Sequence, residues 1–295
     1  MSRKILLASG CSFTQHQSSS NFDPDAFMDF PRWPEKLANL LDMECVNVAQ
    51  SGSGNHKISS YIFEYIMDNP NKDIGLICCL WSEFTRFPLI PIQHGPVIGP
   101  NWAIVNNKFT HRRDWIKRIL MHNDLLEFAA SSLGESAKKI CDALLQETIK
   151  ENFRNFYLVE SLSKKKNIPY LFFQGMNPFK SKHGRWKDRK KSFEMSHIKI
   201  TSDLWAPEKD DIFLYLKKYQ YYFDTEKFIG WPLFGDGYTY GGVLWKNGLV
   251  YDRGKNSYLE FEISEKDRHP NEKGHTVIAR VFYDGVSELY PELLE

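Results

Sequence analysis

The sequence predicts an α/β fold in three layers, a parallel sheet covered by helices on both faces. Three observations predict it. The runs Ile5-Leu6-Leu7 and Ile74 to Leu80 are continuously apolar, as strands buried on both faces are, rather than alternating. Between them lie two segments with helical spacing: Trp33 to Leu41, with Leu37, Leu40 and Leu41 on one face, and His56 to Met67, with Ile58, Ile62 and Ile66. Each early strand also runs straight into a turn rich in glycine and hydroxyls, Gly10-Cys11-Ser12 after the first and Gln50 to Asn55 after the second.

The elements follow in order. A polar loop, Gln15 to Asp29, carries His16, which reads as a solvated loop residue or a substrate contact. Trp33-Pro34-Glu35 opens the first helix, with proline in the first turn, where its missing N–H costs nothing. Glu44 to Val48 is the second strand, and Ile74 to Leu80 is the third and clearest. From Pro88 the pattern breaks into a surface excursion with prolines at 88, 91, 96 and 100 and a basic patch at His111-Arg112-Arg113. A long helix from about Glu135 to Lys165 turns Ile140, Leu144, Ile149, Phe153 and Phe156 to the core, and Pro169 to Gln174 is the fourth strand. Asn177 to Gly242 mixes basic residues with Trp186, Trp205 and a tyrosine cluster and shows no continuous period. Val243 to Val250 reads as a hairpin around Lys246-Asn247-Gly248, and a final helix includes Thr276 to Phe282.

Ser12 stands just past a strand and beside a glycine, where a parallel sheet opens its carboxyl edge to ligand. It is a candidate nucleophile; the plain alternative is a turn residue or helix cap. At the other end, Asp267-Arg268-His269-Pro270-Asn271-Glu272-Lys273-Gly274-His275 sets an acid beside a histidine ahead of the last helix. A serine hydroxyl is a weak nucleophile until a base takes its proton, so serine, histidine and acid together point to acyl transfer.

These two ends resemble the blocks of the SGNH/GDSL hydrolase family. Gly10-Cys11-Ser12 fits the nucleophile block, with Cys11 where aspartate is common, and Asn47-Val48-Ala49-Gln50-Ser51-Gly52 fits the second block. The third block falls at Leu80-Trp81-Ser82-Glu83 and lacks the family's asparagine, while Asp267 and His269 are one residue closer than the usual spacing. The shorter form, with His-Pro-Asn-Glu-Lys-Gly-His, looks like relatives encoded by bacteriophages. The resemblance covers about the first 85 residues and the last 30. It implies a flavodoxin-like sheet with a long insertion between the third strand and the last helix. Catalysis would fall to Ser12, Asp267 and His269, with an oxyanion hole from the N–H groups of Ser12 and Gly52. Asn55 is the candidate to replace the missing amide, and Trp81, Ser82 and Glu83 would border the pocket. No metal or organic cofactor is implied.

On this reading residues 1–87 and 252–295, with 167–175, form the catalytic core, and 88–166 and 176–251 are accessory. The expected activity is ester hydrolysis, with an O-acylated glycan as candidate substrate because the accessory part mixes Trp and Tyr with Lys, Asp and Asn. A binding module or virion-associated structural protein that keeps the fold without turnover is the reading from another class. A third, phosphodiester hydrolysis at a metal, would use Asp267, His269 and His275.

Composition narrows the partners. A formal charge of +1 and acids interspersed among the bases, as in Glu208-Lys209-Asp210-Asp211, predict no nucleic-acid groove. The glycine loop at 50–55 lacks both the P-loop ending and the dinucleotide pattern. Five cysteines, two of them adjacent in an apolar run and none in a Cys-x-x-Cys pair, suit neither a disulfide framework nor a zinc site. The apolar start, Ile5-Leu6-Leu7-Ala8, is shorter than the ~7–15 residues of a signal core, so a cytoplasmic chain without membrane partner is expected.

Overall fold

Along the first strand, β1 (Ile5–Gly10), side chains alternate between two separate cores, because successive residues of a strand point to opposite faces. Ile5 and Leu7 enter one core, and Leu6 and Ala8 the other. β3 (Ile74–Trp81) divides Ile77, Cys79 and Trp81 from Leu76, Cys78 and Leu80, and β4 (Tyr170–Gln174) divides Tyr170 and Phe172 from Leu171 and Phe173. Ile5 pairs with Ile74 while Leu6 pairs with Leu76, so one extra residue, Gly75, bulges β3 and returns its alternation to phase with β1. This two-faced burial is why the strands read as continuous apolar runs.

The computed structural model describes residues 3–20, 22–82, 135–175, 211–231, 260–264, 266–267 and 269–295. The remaining strands are β2 (Glu44–Asn47) and a short β5 (Phe228–Ile229). All pairings are parallel, in the order β2-β1-β3-β4-β5, which is the flavodoxin-like order. Helices α1 (Trp33–Leu40) and α5 (Glu272–Leu289) cover one face, burying Trp33, Leu37, Ile278, Phe282 and Val286; the Trp33 and Phe282 rings stack with centroids 4.5 Å apart. On the other face lie α2 (Asn55–Asp68), α3 (Glu135–Lys166) and α4 (Asp211–Tyr219), contributing Ile58, Ile62, Ile66, Ile149, Phe153, Phe156, Val159 and Leu216. The three-layer α/β architecture expected from the sequence is therefore the one observed.

Within the stretches 88–166 and 176–251, α3 buries Ile149, Phe153 and Phe156, the core face its spacing predicts, and β5 extends the sheet beside β4. Parallel strands cannot be joined by a tight turn, so β3 and β4 need a crossover across one face, and α3 is that crossover. The basic run at 111–113, Glu83, Trp186, Trp205 and the segment 243–250 expected as a hairpin lie outside the described residues.

Candidate active site

β1 sits where the strand order reverses, with β2 on one side and β3 on the other, and such a switch point opens a crevice at the carboxyl ends. The chain leaves β1 through a tight turn in which Thr14 N and Gln15 N both donate to Cys11 O, at 2.9 and 3.0 Å. A Cβ at Gly10 would stand 2.0 Å from Thr14 Oγ1, so the turn closes only over glycine. Thr14 is held in turn by Trp33 Nε1, which donates to its hydroxyl at 3.1 Å, and by Asn47 Nδ2, which donates to its carbonyl at 2.7 Å. Ser12 is thereby presented, half-buried, at the edge of the crevice.

The acid and the histidine come from the approach to α5. Asn271 caps that helix by accepting from Gly274 N at 3.1 Å, while its amide donates to Glu260 O and Glu262 O at 2.8 and 3.0 Å. Ile263 N donates to His269 O at 2.9 Å and Ser264 N to Asp267 O at 3.0 Å, closing the segment into a compact turn. His269 Nε2 then lies 2.8 Å from Ser12 Oγ, and Nδ1 lies 2.5 Å from Asp267 Oδ1. The same Oδ1 accepts the backbone N–H of His269 at 3.0 Å. That second bond explains the short spacing: a carboxylate that folds over its own chain reaches both the amide and the ring of the residue two positions on.

Electrostatics fix the protons. Burial to 2 % exposure pushes the Asp267 carboxyl upward, but hydrogen bonds from His269 and Ser20 and the imidazole charge outweigh it, holding the group below the ordinary carboxylate range. An ionised Asp267 only accepts, so the ring proton resides on Nδ1 and Nε2 keeps its lone pair for the Ser12 hydroxyl. Phe13 meets the imidazole edge-on at 5.4 Å and Phe22 stacks on it at 5.9 Å, leaving the His269 side chain 21 % exposed.

Gly52 stands at φ 76°, which an L side chain adopts only with strain. Its loop is bound to the serine turn, since Ser51 N donates to Gln15 Oε1 at 2.5 Å and Gln50 N reaches Gly10 O at 3.4 Å. Asn55 departs from expectation: its amide donates to Ser82 O at 3.2 Å and Asn152 Oδ1 at 2.5 Å, and its carbonyl accepts from Ser82 N at 2.8 Å. With both amide hydrogens committed, it ties the end of β3 to the middle of α3 and has no side-chain donor left for an oxyanion. Trp81 is likewise no pocket wall. It is fully buried against Phe156 and Phe172, at centroid distances of 4.6 and 5.2 Å, because the odd positions of β3 beyond its bulge face the core under α3. Ser82 is buried too, with its carbonyl accepting from Gln174 Nε2 at 2.9 Å.

His16 is exposed and 3.9 Å from Glu35. His275 is 1 % exposed, with Trp33 N 3.3 Å from Nδ1 and Arg32 Nη1 3.3 Å from Nε2. Burial, then the neighbouring charges of Arg32, Lys36 and His269, push its pKa well below the ordinary value, so the ring is neutral. Because it faces Arg32, the ligand trio Asp267, His269 and His275 is not assembled; no group of three metal-ligating side chains occurs among the described residues. Cys11, Cys45, Cys78 and Cys79 are free thiols, and burial pushes Cys45 up to about 12 and Cys78 and Cys79 upward as well, which disfavours thiolate chemistry at these three. No helix among the described residues is long and apolar enough to cross a membrane.

Two contributors escaped the sequence reading, Ser20 and Arg32. Ser20 donates to Asp267 Oδ2, yet it ends a run of three serines in a polar loop and nothing local distinguishes it. Arg32, 2 % exposed, donates to Gln17 O at 2.6 Å and Met28 O at 3.1 Å and lies over the Phe30 ring at 4.3 Å, anchoring that loop.

No family model and no curated protein matches the sequence. Among solved structures, the chain is similar to a protein described as "a putative SGNH hydrolase" from Slackia heliotrinireducens, with 12 % identity, TM-score 0.33, and coverage of 96 % of this chain and 99 % of that one. It is also similar to "a putative GDSL-like lipase" from Parabacteroides merdae ATCC 43184, with 13 % identity, TM-score 0.36, and coverage of 97 % and 96 %. Both likenesses are too distant to assign a family, so a functional reading has to stand on the geometry of the site.

Proposed function

We propose that this chain is a serine hydrolase that cleaves carboxylic esters by acyl transfer. The observation that carries the reading is the relay Ser12 Oγ to His269 Nε2 at 2.8 Å and His269 Nδ1 to Asp267 Oδ1 at 2.5 Å, at the carboxyl edge of the sheet. Ser12 Oγ attacks the ester carbonyl while Nε2 takes its proton, and Asp267 stabilises the imidazolium that results. The imidazolium then gives the proton to the departing alkoxide. Water attacks the acyl-Ser12 ester in the second half, again losing a proton to Nε2, and the acid leaves with Ser12 restored. The backbone N–H groups of Ser12 and Gly52 are assigned to the developing oxyanion, supported by the ties that hold their two loops together.

The alcohol is proposed to be a hydroxyl-rich one such as an acylated glycan, on the aromatic and polar composition of residues 176–251. A fluorophosphonate serine probe tests the central reading. It is expected to label the wild-type protein and to spare Ser12→Ala. A folded protein that never labels would instead support a binding module that keeps the fold without turnover. An ester panel tests the substrate: faster turnover of polymeric acetylated sugar than of a small aryl acetate is expected, and the reverse order overturns the glycan assignment.

A further inference from the structure

The proposed triad draws twice on one oxygen of its acid, since Asp267 Oδ1 accepts both the backbone N–H and the ring Nδ1–H of His269. A carboxylate held by one oxygen pivots about its Cβ–Cγ bond, and each pivot swings the acceptor away from the ring. The second oxygen is held by the Ser20 hydroxyl. The direction of that bond follows from counting protons. Ser20 Oγ already accepts from Phe22 N at 3.0 Å and Asp23 N at 2.8 Å, so its own hydrogen is the one left to donate, and Asp267 Oδ2 receives it. Ser20 is 6 % exposed, so water competes little for this bond. The same turn lays Phe22 against the imidazole face.

We propose that Ser20 is a positioning residue whose hydroxyl locks the Asp267 carboxylate so that His269 presents Nε2 to Ser12. It acts through Asp267 and touches no reacting atom. The role rests on the hydrolase reading, and it suits the short spacing between acid and histidine. With Oδ1 occupied by a local turn, the orientation of the carboxylate plane has to come from elsewhere in the chain, and the loop before α1 supplies it.

Ser20→Ala and Ser20→Thr in the full chain test the assignment. Threonine keeps a hydroxyl that forms the same short-range bonds to backbone N–H groups. In Ser20→Ala, kcat on p-nitrophenyl acetate is expected to fall about tenfold with little change in KM, the loss that matches one charge-assisted hydrogen bond. The acid limb of the rate–pH profile should move to higher pH, because a carboxylate relieved of a donor favours the protonated ring more strongly. Ser20→Thr should restore both. Equal loss in the two variants with an unmoved acid limb, or no loss in either, overturns the assignment.

A readout without turnover separates this inference from the hydrolase reading. The proton NMR resonance of His269 Nδ1–H should shift and broaden in Ser20→Ala and recover in Ser20→Thr. If wild-type protein never labels with a fluorophosphonate but this resonance responds, the hydrolase reading falls and the positioning role stands. If wild-type labels and the resonance is indifferent to Ser20, the positioning role alone falls.

Discussion

Two histidines six positions apart, His269 and His275, occupy opposite chemical situations. His269 lies ahead of the cap of α5, with a carboxylate on one nitrogen, a serine hydroxyl on the other, and part of its ring open to solvent. His275 lies one turn into the helix, sealed under α1 between Arg32, Phe30 and the backbone of Trp33. The imidazole is the same in both. What differs is that one ring lies between a carboxylate and a hydroxyl and is partly open to solvent, while the other faces a permanent cation in a dry site and stays neutral. The difference teaches that a histidine's role here is set by its partners' charge and by water access: the acid beside His269 stands two positions away in sequence, whereas the cation beside His275, Arg32, and its burial come from distant segments.

The largest expected effect breaks the comparison on the catalytic side. His269→Ala should lower kcat/KM for an ester by about 10⁴-fold or more, as should Ser12→Ala, with unchanged far-UV circular dichroism. If His275→Ala gave the larger loss per folded molecule, the two roles would have to be exchanged.

Next in size, His275→Ala should destabilise the fold by roughly 2–4 kcal/mol, through a buried cavity and the loss of an acceptor for Trp33 N–H or Arg32. Urea unfolding at pH 7.5 measures it. Turnover per folded molecule should stay within about twofold of wild type, and stability equal to wild type would contradict the packing role.

The pH dependence of stability separates the two sites further. His275 has a folded pKa well below its ordinary value, so below about pH 6.5 the unfolded chain takes up a proton that the folded chain refuses. Stability should therefore fall as pH drops from about 6.5, by up to about 1.4 kcal/mol per pH unit from this group, with no contribution above that pH. Asp267 works in a lower window: its carboxyl is depressed, so the stability it adds is present above about pH 3.9 and is lost only as pH falls through its folded value. Unfolding curves between pH 7.5 and 5 should be steeper in pH for wild type than for His275→Ala; parallel curves would mean that His275 is not held neutral.

The smallest effect belongs to His16. It is about half exposed and stands 3.9 Å from Glu35, so His16→Ala should change stability by less than about 0.5 kcal/mol and leave turnover intact. A tenfold loss of turnover would place His16 in the substrate path.

Much of the fold was legible because its signals are local. Ile74 to Leu80 is apolar on both faces, and the spacing of Ile58, Ile62 and Ile66 declares a buried helix face; α2 and β3 fall where those patterns end, give or take a residue or two. Less legible was β5, two residues long and recognisable as a strand only because Phe228 and Ile229 pair with Phe172 and Phe173. The core face of α3, with Ile149, Phe153 and Phe156, was legible from its spacing, but that this helix is the crossover between β3 and β4 shows only in the order of the sheet.

At the site, the residue types at positions 12, 267 and 269 were visible in sequence, because activating a hydroxyl needs a base and an orienting acid and both stood in one short block. The sequence alone also determined the glycine at 10 and the apolar runs that carry the turn to the edge of the sheet. Only the tertiary structure decided the rest. It showed that Asn55 spends its amide on Ser82 and Asn152, that Trp81 turns into the core, and that Ser20 reaches Asp267 across 247 positions of sequence. The physical reason is range. Periodicity and turn chemistry act between neighbours and leave a mark within a few residues. A hydrogen bond between distant segments depends on where folding brings them, and nothing in the local sequence of either partner records it.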